Sequence, residues 1–250
     1  MTLLDVRGLH KRFGGVVATA GVDLQVRAGE VHALIGPNGA GKTTLVSQLA
    51  GQLASDSGRI VFDGADITAL VAHQRARRGL VRSFQITRLF KSFDVQDNLA
   101  LALQATSGHG LSPWRALARD RGLAERAHEV LREIGLDGRA AARVDELSHG
   151  EQRALEVGLA LASRPRLVLL DEPMAGMGPE ESLRMEALIG RLRAQTTVLL
   201  IEHDVDAVFR LADRVSVLLG GQIIASGAPA QVRRDSAVIE AYLGAERGVS

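Results

Sequence analysis

The sequence predicts an α/β fold with a parallel sheet covered by helices on both faces. Three observations carry that prediction. After Arg166, short apolar runs alternate with amphipathic segments, as buried strands alternate with crossover helices. Upstream, an apolar strand, a glycine-rich turn and a helix follow one another across residues 31–50. Between these two parts, residues 94–163 read as helical and form an insertion in the α/β core.

Taken in order, β-rich pieces occur at 3–7, 22–26 and 30–35, punctuated by Gly14-Gly15 and Ala28-Gly29. A helix is expected over 41–50 and a strand over 58–62, ending in the turn Asp63-Gly64. The helical stretch is broken by Ser107-Gly108-His109-Gly110 and again at 135–138. Beyond it come a strand (167–171), a helix (179–193), a strand (197–202), a helix (205–212) and a strand (215–219). The basic run Gln74-Arg75-Ala76-Arg77-Arg78 reads as a solvated helix face. His10 and His32 read as structural.

Composition excludes several function classes. There is no Cys, so no disulfide scaffold, thiolate metal site or cysteine nucleophile, and a reducing compartment fits. Thirty basic residues balance 29 acidic ones, which gives no bulk signal for a nucleic-acid partner. The start Met1-Thr2-Leu3-Leu4-Asp5 meets a charge at once and has no apolar h-region, so no signal peptide is expected. Its longest apolar runs, 167–170 and 198–201, fall far short of the ~20 residues that span a bilayer. A soluble chain that binds a membrane-spanning partner is the expectation.

Two motifs carry chemistry. Gly36-Pro37-Asn38-Gly39-Ala40-Gly41-Lys42-Thr43 fits G-x-x-x-x-G-K-[ST], which this composition would produce by chance only ~0.003 times. Its glycines let successive N–H groups turn inward into an anion nest, to which the following helix adds its dipole. Lys42 is placed to reach the β- and γ-phosphates, and the Thr43 hydroxyl to bind Mg²⁺. The second motif is the apolar strand 167–170 ending in Asp171-Glu172-Pro173. A parallel strand presents its ligands at its carboxyl end. Asp171 is therefore expected in the Mg²⁺ shell, and Glu172, pointing elsewhere, as general base for an attacking water.

Leu147-Ser148-His149-Gly150-Glu151-Gln152-Arg153 resembles the signature motif of ATP-binding cassette (ABC) ATPases, with departures at His149 and Glu151. Ser148 and Glu151 also form a capping box ahead of a helix over 155–162. The resemblance covers nearly the whole chain, with six motifs in family order. It implies a single domain over 1–250 with a P-loop NTPase (RecA-like) core. Residues 1–88 and 161–250 make that core and an N-terminal antiparallel β subdomain; 89–160 make the inserted helical subdomain. It further implies ATP and Mg²⁺ as ligands. Phe13 becomes the adenine-stacking aromatic, Gln85 the Q-loop glutamine at Mg²⁺ or water, and His203 the switch histidine at the γ-phosphate. Gly36, Asn38, Gly39, Ala40, Gly41, Lys42, Thr43 and Thr44 hold the phosphates. Ser148, Gly150 and Glu151 face the γ-phosphate held by a second ABC ATPase subunit, alike or related. The D-loop 174–179 carries Gly178 where the family usually has Asp.

Arg82-Ser83-Phe84-Gln85-Ile86-Thr87-Arg88-Leu89-Phe90, Val95-Gln96-Asp97-Asn98-Leu99 and the tail 227–244 are similar to the ATPases of branched-chain (hydrophobic) amino-acid importers. That branch implies integral membrane permease partners, an indirect periplasmic or extracellular solute-binding protein, and a peripheral place on the cytoplasmic face of the inner (plasma) membrane. Lipid or lipopolysaccharide export is the alternative. A soluble ABC ATPase of translation or DNA repair fits less well, because 63 positions without heptads separate Gln85 from Ser148.

Overall fold

The computed structural model describes residues 1–83, 89–107 and 121–240. In chain order the strands are β1 (Thr2–Phe13), β2 (Val16–Arg27), β3 (Val31–Ile35), β4 (Ser57–Phe62), β5 (Ala65–Asp66), β6 (Leu80–Arg82), β7 (Leu167–Asp171), β8 (Thr197–Ile201), β9 (Arg214–Leu219) and β10 (Gln222–Gly227). The helices are α1 (Lys42–Leu49), α2 (Ala72–Arg77), α3 (Val95–Ser107), α4 (Arg121–Ile134), α5 (His149–Leu161), α6 (Pro179–Leu192), α7 (Val205–Leu211) and α8 (Pro229–Val232).

The strands make two sheets. An antiparallel sheet has the order β2-β1-β4-β5, and a six-stranded sheet the order β10-β9-β3-β8-β7-β6. In the second, β3, β6, β7, β8 and β9 pair in parallel, and only β10 runs antiparallel, against β9. Successive residues of the central strands serve opposite faces. Val168, Leu170, Val198 and Leu200 join a core with α4, α5 and α6, while Leu167, Leu169, Leu199 and Ile201 join one with α1 and the antiparallel sheet. Burial on both faces is why these strands read as unbroken apolar runs rather than as alternation. Within the helical layer α5 lies close against α4: a Cβ on Gly158 would press on the Ile134 and Val130 side chains.

β1 and β2 extend well beyond the expected residues 3–7 and 22–26. Their ladder shifts register between Val6 and Leu9 and again between Lys11 and Arg12. Such bulges break the two-residue period that marks a strand in sequence. β6 and β10, both edge strands, were not expected; β6 has three residues, too few to show a period.

The solvated reading of 74–78 is corrected at Arg75, which is 2% exposed. Its guanidinium donates to the carbonyls of Gln48 (2.7 Å) and Leu49 (2.8 Å) at the end of α1, and to Leu70 (2.8 Å) and Thr68 (3.0 Å). A run of charges hides this, because the planar fork that reaches several carbonyls at once is a property of one side chain in its surroundings. His32 is structural as expected: it is fully buried between Glu30 (3.0 Å) and Ser216 (2.8 Å).

Candidate nucleotide site

The turn 36–43 leaves β3 at its carboxyl end and enters α1. Gly41 caps the helix in the left-handed region, at φ 103°. A side chain there would overlap the Ala18 carbonyl oxygen, and one at Gly36 the Leu218 carbonyl oxygen. Only glycine lets the backbone lie so close to its neighbours. The turn is also tied down from outside: Gly221 donates to the Ala40 carbonyl (3.0 Å), and Ala20 donates to Gly221 (2.8 Å). Asn38, Gly39 and Thr43 are exposed, and Thr44 is half-buried. The Lys42 ammonium folds back on the turn, donating to the carbonyls of Gly36 (2.6 Å) and Pro37 (3.1 Å). Burial pushes its pKa down, against the charges of Glu172 and Asp171, which pull it up.

Register sets the rest of the site. Leu34 on β3 and Asp171 on β7 both pair with Ile201 of β8, so three adjacent parallel strands end together. The glycine turn, Asp171-Glu172 and Glu202-His203 thus issue from one sheet edge. Asp171 is buried, with Arg82 Nη2 donating to its carboxylate at 2.5 Å; Arg82 also donates to Gln52 (2.5 Å) and Ser47 (3.1 Å). Glu172 has φ 48°, one of three non-glycine residues with positive φ among the described residues. Its N–H donates to Ile201 O (2.9 Å), which holds the unusual turn. Strain of this kind gathers at functional sites.

His203 is exposed, its Nδ1 3.7 Å from the Glu202 carboxylate. Glu202 is fully buried and accepts from the N–H groups of Met174 (3.0 Å) and His203 (3.2 Å), joining the turn after β7 to the turn after β8. Burial pushes its pKa up, and the two N–H donors partly offset this. Phe13 stands at the end of β1, 50% exposed, with Lys11 Nζ 5.7 Å from its ring centre. It is not a core residue. Gln85 lies outside the described residues.

The signature residues sit apart, at the start of α5. Ser148 is the N-cap: its Oγ accepts from the Glu151 N–H (3.2 Å), and the Glu151 carboxylate accepts from the Ser148 N–H (2.8 Å). The capping box is formed as expected. These residues bond to Glu181 of α6 and to Arg139, and the glycine turn bonds to its own neighbours. A single chain thus brings Gly36–Thr44, Asp171, Glu172 and His203 to one edge and leaves Ser148, Gly150 and Glu151 on a separate helix end.

Sequence reasoning assigned no role to Arg82, Glu202 or Glu181. Arg82 and Glu202 carry a signal in retrospect, since each is a charged residue at the carboxyl end of a parallel strand. Glu181 carries none: an acid in the first turn of a helix is ordinary.

Comparisons with known proteins fit this arrangement. A family model described as ABC transporter matches residues 19–175, and one described as branched-chain amino acid ATP-binding cassette transporter matches 222–247. The chain is 42% identical over 249 residues to the high-affinity branched-chain amino acid transport ATP-binding protein BraF of Pseudomonas aeruginosa, covering 97% of this chain and 98% of that one. It is 36% identical over 243 residues to the lipopolysaccharide export system ATP-binding protein LptB of Acidithiobacillus ferridurans, with 97% of each covered. Among solved structures it resembles the ADP conformation of MJ1267, an ATP-binding cassette of an ABC transporter, with a TM-score of 0.86 and 32% identity over 98% of this chain and 99% of that one. By its motifs, its fold and these matches, the chain belongs to the ABC transporter family, as one of its ATP-binding cassette ATPases.

Proposed function

We propose that this chain is the ATP-hydrolysing subunit of an importer that carries branched-chain or other hydrophobic amino acids through a membrane permease. The observation that carries the reading is the split of the site: cradle, acids and switch histidine at one sheet edge, signature on a separate helix end. The substrate class rests on the similarity to BraF and on the match over 222–247. Lipopolysaccharide export is supported less, at 36% identity against 42%.

The residues present fit a nucleotide triphosphate. The turn is closed to side chains at two glycines and opens onto a helix N-terminus, a natural anion site. ATP would bring the phosphoryl group, and Mg²⁺, which would offset its charge, would be held by Thr43, Gln85 and Asp171. The remaining work falls to the chain. Backbone N–H groups of Gly36 and of Asn38 to Thr44 grip the phosphates. Lys42 exchanges the Gly36 and Pro37 carbonyls for phosphate oxygens. Phe13 offers its exposed face to the adenine. Glu172 takes the proton of the attacking water, and His203 holds the γ-phosphate. Ser148, Gly150 and Glu151 complete the pocket of a second ATPase subunit, alike or related. Closure moves the helical unit 89–160, and segment 85–99 passes the motion to the permease. Among the described residues no helix is long and apolar enough to cross a membrane. A peripheral place on the cytoplasmic face, through permease subunits and indirectly a solute-binding protein, follows from this reading, and nucleic acid has no part in it.

Glu172→Gln keeps the cradle and removes the base. It is expected to bind ATP and dimerise while hydrolysing at least ~100-fold more slowly, measured as phosphate release. Parental turnover in that variant would overturn the assignment.

A further inference from the structure

The two donors that the signature offers to a partner's nucleotide are already in use. Glu181 Oε1 accepts from Ser148 Oγ at 3.0 Å and from the Gly150 N–H at 3.1 Å. A serine hydroxyl has one proton to give, and this one goes to Glu181 while the oxygen accepts from Glu151. The hydrogen bonds from Ser148 and from the N–H of Gly150, with a further one from the N–H of Gly178, hold the Glu181 carboxyl below the usual range, so it stands there as an anion. The approach needs the glycine: a Cβ on Gly150 would lie 2.7 Å from Glu181 Oε1. Neighbouring Glu180 instead pairs with Arg184 (3.5 Å), which leaves Glu181 to the signature.

We propose that Glu181 is an internal stand-in for the partner's γ-phosphate. In the lone chain its carboxylate occupies the Ser148 and Gly150 donors; when two chains close on ATP, phosphate oxygens displace it. The inference rests on the two-chain reading above and adds the residue that sets how much nucleotide closure requires. One anion is exchanged for another at the same donors, so closure gains only the difference between them. A ligand shifts an equilibrium by no more than its differential affinity for the two states.

The test uses Glu172→Gln as parent, in which ATP is not consumed. The ATP concentration for half-maximal dimerisation is measured by sedimentation at fixed chain concentration, for the parent and with Glu181→Ala or Glu181→Gln added. Glu181→Ala empties the donors and is expected to lower that concentration about tenfold, a typical coupling between sites. Glu181→Gln keeps an oxygen that can accept from them but carries no charge, and is expected to fall between Ala and the parent. A residue that merely braces α6 against α5 gives the opposite: a lower melting temperature and an unchanged or higher ATP requirement in both variants, which overturns the proposal. If the parent dimerises and the Glu181 variants do not shift, only this inference fails. If the parent stays monomeric with ATP, the two-chain reading fails and the inference with it.

Discussion

Arg75→Ala removes the guanidinium that closes the end of α1. Four donated hydrogen bonds, to Gln48, Leu49, Leu70 and Thr68, are lost together. Hydrogen bonds from a charged donor contribute ~1.5–3 kcal/mol each, so four set an upper bound of ~6–12 kcal/mol. Two effects reduce it. Water enters the space the side chain leaves and satisfies part of the exposed carbonyls. The cost of burying the charge, which lowers the Arg75 pKa from 12.5 to about 10, also disappears. A net loss of ~3–5 kcal/mol remains, a large part of the ~5–15 kcal/mol that holds a typical domain together. Urea denaturation followed by circular dichroism measures it. Arg75→Lys keeps the charge but has no fork to span four carbonyls, so it falls between parent and Ala and stays measurable if Ala does not fold. A solvated side chain would move the midpoint by less than ~1 kcal/mol in either variant, and that result would refute the assignment.

Two further predictions concern the site itself. Gly41→Ala forces a side chain into the left-handed turn against the Ala18 carbonyl. Strain of ~1–3 kcal/mol weakens ATP binding by about 5- to 150-fold with helix content unchanged; calorimetric titration giving parental affinity would contradict the cradle. Glu202 holds its proton to a higher pH folded than unfolded, because burial raises its pKa. Its contribution to stability is therefore full below the ordinary Glu value and is lost as pH rises through the raised folded value. Glu202→Gln removes that loss. Its stability relative to the parent should improve as pH rises above the ordinary Glu value, read from paired urea titrations; a flat or opposite trend would count against it.

Much of this molecule was legible in advance wherever one local rule sufficed. The apolar strands 167–171 and 197–201 showed because both their faces are buried, and the capping box of α5 because it lies within four residues. The glycine turn showed because its spacing is specific. What stayed hidden depends on distance in the chain. Arg82 meets Asp171 across 89 positions, Glu181 meets Ser148 across 33, and Arg75 closes a helix that ends 26 positions before it. Sequence supplies the charges of these residues but not their partners. Edge strands β6 and β10 escaped for another reason: β6 has three residues, and β10 is mostly half-buried or exposed, so it shows no long apolar run.

The central claim is that catalysis needs two chains, each completing the other's pocket. Phosphate release per chain, measured at saturating ATP and Mg²⁺ over a hundredfold range of chain concentration, tests it most directly. The account predicts that specific activity falls toward zero on dilution and levels off when the chains are concentrated. A rate per chain that stays constant across the whole range would contradict it.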